Sequence, residues 1–313
     1  MKKGAIEYGV EDIKVALSSH KVTPSELGFD LPQNYYQSVS GAQTLTKATP
    51  EEDAFVLCSR AAEILLSTQP GLIQQIDAIL VVTLPVEPTV APISARLQGY
   101  LGARSNTFCL DLTLSCVGFL QAASLVVKMM PAHGWKKVLL LNVETLTKII
   151  RPEDQALGLI MSDGATASLF SDRPRLVFDQ FDFFSDGNLA SILGTRNGNM
   201  FMDGPRLYET VLRRIPTSFR DSLKKFGLGR DEVDLFIFHQ GSRKVLDKLI
   251  ELLALESSKV PQTIAQFGNL GSCSIPHILS ELLENPAPQG RRFFATAFGA
   301  GFQWAHASLR QKG

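Results

Sequence analysis

A chain that repeats its own pattern at half its length has to build each half in the same way. This chain carries such a repeat. Asp77-Ala-Ile-Leu-Val-Val has a counterpart 157 residues later in Asp234-Leu-Phe-Ile-Phe-His. The same offset carries Cys116 onto Cys273. An apolar, helix-like stretch follows each: Val-Gly-Phe-Leu-Gln-Ala-Ala after the first, Ser-Ile-Pro-His-Ile-Leu after the second. Applied again, the offset carries Val138-Leu-Leu-Leu-Asn onto Ala295-Thr-Ala-Phe-Gly. These ordered matches predict two similar α/β halves, residues 1–157 with Cys116 and residues 158–313 with His239 and Asn269, packed sheet to sheet around buried helices.

The patterning fits that plan. Residues 76–83, 137–142 and 233–238 are apolar on both faces, as strands are when helices cover a sheet on both sides. Helices are predicted over 51–68, 117–130, 207–226, 242–253 and 275–283. The second of these is apolar nearly all round, which places it at the centre of the molecule. No linker rich in Gly, Ser or Pro divides the chain. At 313 residues and 45% apolar, the chain can bury a full core. Lys plus Arg equals Asp plus Glu at 31 each, so no net field draws nucleic acid or an anionic membrane. The N-terminal stretch reaches Glu7, Glu11 and Asp12 before any long apolar run, unlike a secretory signal, and no run of about 18 apolar residues could span a bilayer. Four cysteines without a CxxC argue against a disulfide framework and a zinc site. Reduced thiols, a cytoplasmic location and no metal are therefore expected.

Four features could carry chemistry. Cys116, in Asp111-Leu-Thr-Leu-Ser-Cys-Val-Gly-Phe119, sits where a strand-like run gives way to the apolar helix. The positive end of a helix favours thiolate and so a better nucleophile; a free cysteine is more often a small buried hydrophobe, the reading that suits Cys58 and Cys109. Cys273 also precedes a helix, and spacing alone does not separate it from Cys116. His239 ends an apolar strand and is followed by Gln-Gly, where α/β active sites form. His20 and His133 read as surface-loop residues, and His277 and His306 as helical. Asn269 is flanked by Gly268 and Gly271, which permit a tight turn. Phe298-Gly-Ala-Gly-Phe-Gln-Trp304 could aim backbone N–H groups at an oxyanion. Each fits an ordinary structural role singly. Together they supply a nucleophile, an imidazole, a neutral donor and an oxyanion loop, the set for acyl transfer through a thioester.

These segments resemble the signatures of the 3-oxoacyl-ACP synthase III (β-ketoacyl-ACP synthase III) family. Phe238-His-Gln, Gly268-Asn-Leu-Gly-Ser, Met161-Ser-Asp-Gly-Ala-Thr-Ala and Phe201-Met-Asp-Gly-Pro-Arg also match, in family order over nearly the whole chain. The resemblance implies a duplicated αβαβα thiolase-like sandwich, assembled as a homodimer whose partner walls the acyl pocket near residues 86–95. It implies that Cys116 takes the acyl group, and that His239 and Asn269 hold the extender thioester carbonyl and the enolate formed on decarboxylation. Backbone N–H groups of Cys116 and Ala300 would form the oxyanion hole, and Cys273 would only pack. No cofactor is implied.

The chain departs from the family in the donor-binding region. Tyr35 keeps an aromatic, but Val39, Leu45 and Gln155 stand near the places of the family's arginines. Without them coenzyme A phosphates and adenine lose their partners, so an acyl carrier protein is the expected donor, acyl-coenzyme A the weaker one. Arg243 and Lys244 fall near the family's carrier-docking patch. The leading expectation is decarboxylative condensation with malonyl-ACP to a 3-oxoacyl-ACP in a specialised biosynthetic pathway. The alternative on the same fold is transfer of the acyl group from Cys116 to a hydroxyl or amine. A non-catalytic partner subunit is disfavoured by retention of all three side chains.

Overall fold

The computed structural model describes residues 6–29, 32, 35–84, 91–285 and 290–312. Of the expected partner-facing segment, residues 86–90 lie outside the described residues. Along the chain run β1 (Gly9–Leu17), β2 (His20–Val22), β3 (Leu45–Lys47), α1 (Ala54–Ser67), β4 (Ala78–Thr83), α2 (Ile93–Tyr100) and β5 (Phe108–Thr113). Next come α3 (Gly118–His133), β6 (Lys137–Glu144), β7 (Gly164–Ser171), β8 (Leu176–Ser185), β9 (Leu193–Arg196) and β10 (Asn199–Met202). The chain closes with α4 (Gly204–Lys225), β11 (Leu235–Phe238), α5 (Arg243–Leu253), α6 (Ser274–Glu284), β12 (Arg292–Gly299) and β13 (Gln303–Gln311).

Among the described residues, nine strands form one sheet in the order β11-β12-β13-β8-β1-β7-β6-β4-β5. The duplication is plain in its pairing. β4 lies parallel to β6, which is antiparallel to β7, which is antiparallel to β1. In the same way β11 lies parallel to β12, then β13 and β8 follow antiparallel. Strand β7 falls after residue 157 yet pairs with β6 and β1, so the topological break comes between β7 and β8.

The register corrects one of the three repeat matches. Ala78 pairs with Val138 where Leu235 pairs with Phe293, so the counterpart of Val138 is Phe293, not Ala295. The connection is two residues shorter in the second half. A slip of two keeps every side chain on its face, which is why the pattern tolerates it. The other two matches stand: Ala78 and Leu235 hold the same place, and Cys116 and Cys273 each lie just before a central helix.

Alternation along the strands sorts side chains into layers. Ile79, Val81, Leu139 and Leu141 face α1 on one outer side. Leu80, Val82 and Leu140 face inward onto α3 and α6, which Ile237, Phe293 and Ala295 of the second half cover from the other side. Phe236, Phe238 and Phe294 face α4 and α5. The result is the expected αβαβα order, with the two repeated helices in the middle.

Several local expectations change. Helix α2 is absent from the sequence reading because its N-terminus is held from a distance: the Asp111 carboxylate accepts the N–H groups of Ile93 (2.6 Å) and Ser94 (2.9 Å). His306 lies in β13, not a helix, fully buried, with ring nitrogens 2.9 Å from Thr296 Oγ1 and 2.9 Å from Ser218 Oγ. His133 closes α3 and stacks on Trp135, and His20 is an exposed strand residue. Cys58 is buried as expected, whereas Cys109 is only partly covered on the edge strand β5.

Candidate active site

The inner ends of the two halves meet around one cavity of about 740 Å³, and Cys116, His239, Asn269 and Ala300 all border it. Leu84, Leu146, Met161, Leu193, Met200 and Met202 give it an apolar wall.

Cys116 stands in the turn between β5 and α3, where the Gly118 N–H donates to the Ser115 carbonyl at 2.7 Å. The loop after β12 presses on it from the second half. A Cβ on Gly299 would come within 2.8 Å of Ser115 Oγ and 2.9 Å of Cys116 Cβ, so the close approach favours glycine and holds this loop against the Cys116 turn. The thiolate expected from the helix end is not the resting form. Burial, reinforced by the nearby Glu144 carboxylate, pushes the Cys116 thiol up to about 12. Desolvation outweighs the lowering effect of the Cys116 backbone N–H, so Cys116 rests as a thiol.

His239 follows β11, and its backbone N–H donates to the Thr296 carbonyl at 2.8 Å, extending the parallel ladder by one residue. Its Nδ1 lies 3.1 Å from Ser274 Oγ, and its ring meets Phe298 edge-on. Burial lowers its pKa to about 4, leaving a neutral imidazole. Ser274 Oγ also lies 2.8 Å from the Gly271 carbonyl, which can only accept. While that hydroxyl is given to Gly271, Nδ1 must carry the ring proton and Nε2 is an acceptor. Turned to Nδ1, the hydroxyl leaves Nε2–H as a donor.

Asn269 is fixed on every side. Its N–H donates to the Ile160 carbonyl (2.8 Å) and its carbonyl accepts from Ser162 N–H (2.9 Å). Its Oδ1 accepts from Gly271 N–H at 2.9 Å, and Nδ2 reaches the Gly241 carbonyl at 3.4 Å. Gly268, at φ +62, backs onto Leu45 and Ser162 so closely that a Cβ would stand 2.5 Å from Leu45 Cδ2. Cys273 is sealed, 1% exposed, with its thiol against the Asn142 and Gly164 carbonyls, so the packing reading holds for it.

Of the donor-region residues, Tyr35, Val39 and Gln155 line the cavity, whereas Leu45 is buried against Val22 and Ala42. Lys244, in the first turn of α5, also borders the cavity, its ammonium 4.9 Å from the Tyr208 ring centre. Arg243 points away and pairs with Asp247 at 2.7 Å. Glu144, which ends β6 on the cavity wall, has no place in the sequence reading; an acid closing a buried strand is the available signal. Among the described residues no group of three His, Cys, Asp or Glu could hold a metal ion, and no helix is long and apolar enough to cross a membrane.

The chain is similar to known proteins over most of its length. Residues 110–187 match the model for 3-oxoacyl-[acyl-carrier-protein] synthase III, and residues 223–311 match that for its C-terminal part. The β-ketoacyl-[acyl-carrier-protein] synthase III of Lactobacillus helveticus is 28% identical over 319 residues, covering 93% of this chain and 96% of that protein. The crystal structure of 3-oxoacyl-[acyl-carrier-protein] synthase III from Aquifex aeolicus superposes with a TM-score of 0.89 at 25% identity, covering 97% of this chain and 99% of that one. The priming β-ketosynthase of the R1128 polyketide pathway shares the fold, with a TM-score of 0.88 at 23% identity over 98% and 96% of the two chains.

Proposed function

The chain belongs to the 3-oxoacyl-ACP synthase III family and is a condensing acyltransferase, and from that premise we propose that it takes an acyl group from a carrier protein onto Cys116 and extends it with malonyl-ACP. The observation that carries this reading is the meeting of a thiol, a neutral imidazole and a fixed amide on one cavity. In loading, Cys116 Sγ attacks the donor thioester carbonyl and the carrier's C–S bond breaks. His239, with Nε2 as acceptor, relays the Cys116 proton to the departing thiol. Backbone N–H groups of Cys116 and Ala300 stabilise the tetrahedral oxyanion.

In condensation the malonyl C–C bond to the carboxylate breaks, carbon dioxide leaves, and the electron pair passes into an enolate. Asn269 Nδ2–H holds the enolate oxygen, and His239 joins it when Nε2 carries the proton. Such donors contribute roughly 3 kcal/mol each. A neutral pair does this without protonating the carbanion. The carbanion attacks the acyl carbon, the Cys116 C–S bond breaks, and the Cys116 thiolate takes up one proton from solvent, which balances the loss of carbon dioxide from the malonyl carboxylate.

Several observations support a carrier protein over coenzyme A as donor. Among the described residues lining the cavity there is no arginine to grip nucleotide phosphates. Lys244 lies at the cavity, and Arg206, Arg213, Arg220 and Lys224 are exposed along α4, a basic surface for an acidic carrier. That departure supports a specialised biosynthetic pathway. A homodimer is supported by the free edge of β5, where Phe108 is 41% exposed, and by Leu125 on α3 at 43%. Transfer to a hydroxyl or amine is the second reading, favoured by the acceptor state of His239 Nε2, which could deprotonate such a group.

The deciding experiment is intact-protein mass spectrometry with a panel of acyl-ACP and acyl-coenzyme A donors, chased with malonyl-ACP. An adduct on Cys116, formed faster from acyl-ACP and discharged with carbon dioxide release, is expected. Cys116→Ala should abolish loading, and Asn269→Ala should leave loading but impair decarboxylation. Condensation at wild-type rate in Asn269→Ala refutes its role; discharge only by an alcohol or amine selects the second reading.

A further inference from the structure

Glu144 is a buried acid that none of these steps uses. It is 0% exposed and borders the cavity at the end of β6. Its Oε1 accepts the backbone N–H of Ser272 at 3.0 Å, while Oε2 has no partner among the described residues. Burial pushes the carboxyl up to about 8, so it is uncharged at neutral pH.

What rests on this carboxyl is the turn from Asn269 to Ser274. Gly271 adopts φ +55, and a Cβ on it would stand 2.8 Å from Glu144 Cγ and 2.9 Å from both Cδ and Oε1. The same glycine fixes both functional side chains of the second half. Its N–H holds Asn269 Oδ1, and its carbonyl holds Ser274 Oγ, which touches His239 Nδ1. Ser272, which donates to Glu144, is itself 1% exposed. Removing the carboxyl orphans a buried N–H and takes away the floor beneath Gly271 together.

We propose that Glu144 is a positioning residue: through the Ser272 N–H and contact with Gly271 it sets the placement of Asn269 and of the Ser274–His239 pair against the extender thioester. Cys116 stands on a separate turn, before α3, and Glu144 acts on it only as a charge that raises the thiol, an effect that is weak while the carboxyl is protonated. The inference rests on the condensing reading, and it separates Glu144 from a general prop because it predicts loss of turnover while the Cys116 thiol itself stays reactive.

The test compares wild type, Glu144→Gln and Glu144→Leu in the full chain. Gln keeps the Oε1 acceptor; Leu fills the space without it. Labelling of Cys116 by iodoacetamide, backbone hydrogen exchange over 269–274, and turnover with malonyl-ACP are measured together. E144L should speed exchange over 269–274, keep labelling within about twofold, and lower kcat on the order of 10²-fold, the effect of misplacing a reacting group by about 1 Å. E144Q should restore both exchange and turnover. Wild-type exchange and turnover in E144L, equal loss of labelling and turnover, or failure of E144Q to rescue would each overturn the assignment. If wild type forms no 3-oxoacyl product, only the condensing reading fails, and the exchange comparison still decides whether Glu144 holds the turn.

Discussion

Replacing Gly299 with Ala isolates a purely steric contact between the halves. At φ −177 the backbone is extended and accepts alanine without strain. The new methyl, however, would stand 2.8 Å from Ser115 Oγ, 2.9 Å from Cys116 Cβ and 3.3 Å from Cys116 N. Comfortable carbon contacts begin at about 3.5 Å, so something must move by roughly 0.6 Å, and the nearest atoms belong to Ser115 and Cys116. Overpacking of this kind costs about 1–3 kcal/mol. For 313 residues, roughly 1.5 °C of melting temperature per kcal/mol converts that to a fall of about 2–5 °C. Acyl loading should fall far more, up to about 10²-fold, because the thiol loses its line of attack. Thermal melting and the initial rate of adduct formation by mass spectrometry read the two effects. Gly187→Ala, where a Cβ meets nothing within 4 Å, is the control and should change neither. Wild-type loading in Gly299→Ala would show that the loop yields freely and does not hold Cys116.

Three further outcomes are expected. Above pH 6.5 His306 is neutral in both the folded and unfolded chain; as the pH falls from 6.5 toward about 3, only the unfolded chain takes up the proton, so stability drops by up to about 1.4 kcal/mol per unit. His306→Gln should flatten that decline in urea unfolding, and a parallel decline would assign it elsewhere. Placing arginines at Val39 and Gln155, both on the cavity, should lower KM for acyl-coenzyme A about tenfold and leave acyl-ACP little changed, measured by donor titration. Lys244→Glu should slow loading from acyl-ACP several-fold, more at low salt, and spare loading from acyl-coenzyme A; equal effects on both would remove Lys244 from docking.

The layers were legible in the sequence because each signal was local and doubled. Leu80 and Ile79 are both apolar since both faces of β4 are covered, and such a run has few readings besides a buried strand. The repeat was legible in outline, but its third match was misplaced by two residues, a shift invisible to a pattern with period two. Helix α2 escaped because its cap, Asp111, comes from the following strand. Val39 and Gln155 were marked as departures by resemblance, and both do border the cavity. The protonation of Cys116 was misjudged because the helix end shows in the sequence, whereas the depth of burial and the Glu144 carboxylate do not. Glu144 itself was overlooked for a related reason: an acid after an apolar run usually marks the point where a strand reaches water.

The repeat divides the chemical labour unevenly. The thiol comes from the first copy; the imidazole and the amide come from the second. In the second copy the cysteine position is closed off, and its adjoining turn serves the amide instead. On the roles proposed, either copy made alone should be catalytically silent however well it folds, because the reacting groups become neighbours only when the copies dock. Turnover would then double as a gauge of that docking: a perturbation that merely parts the two copies should extinguish it while leaving every individual residue in place.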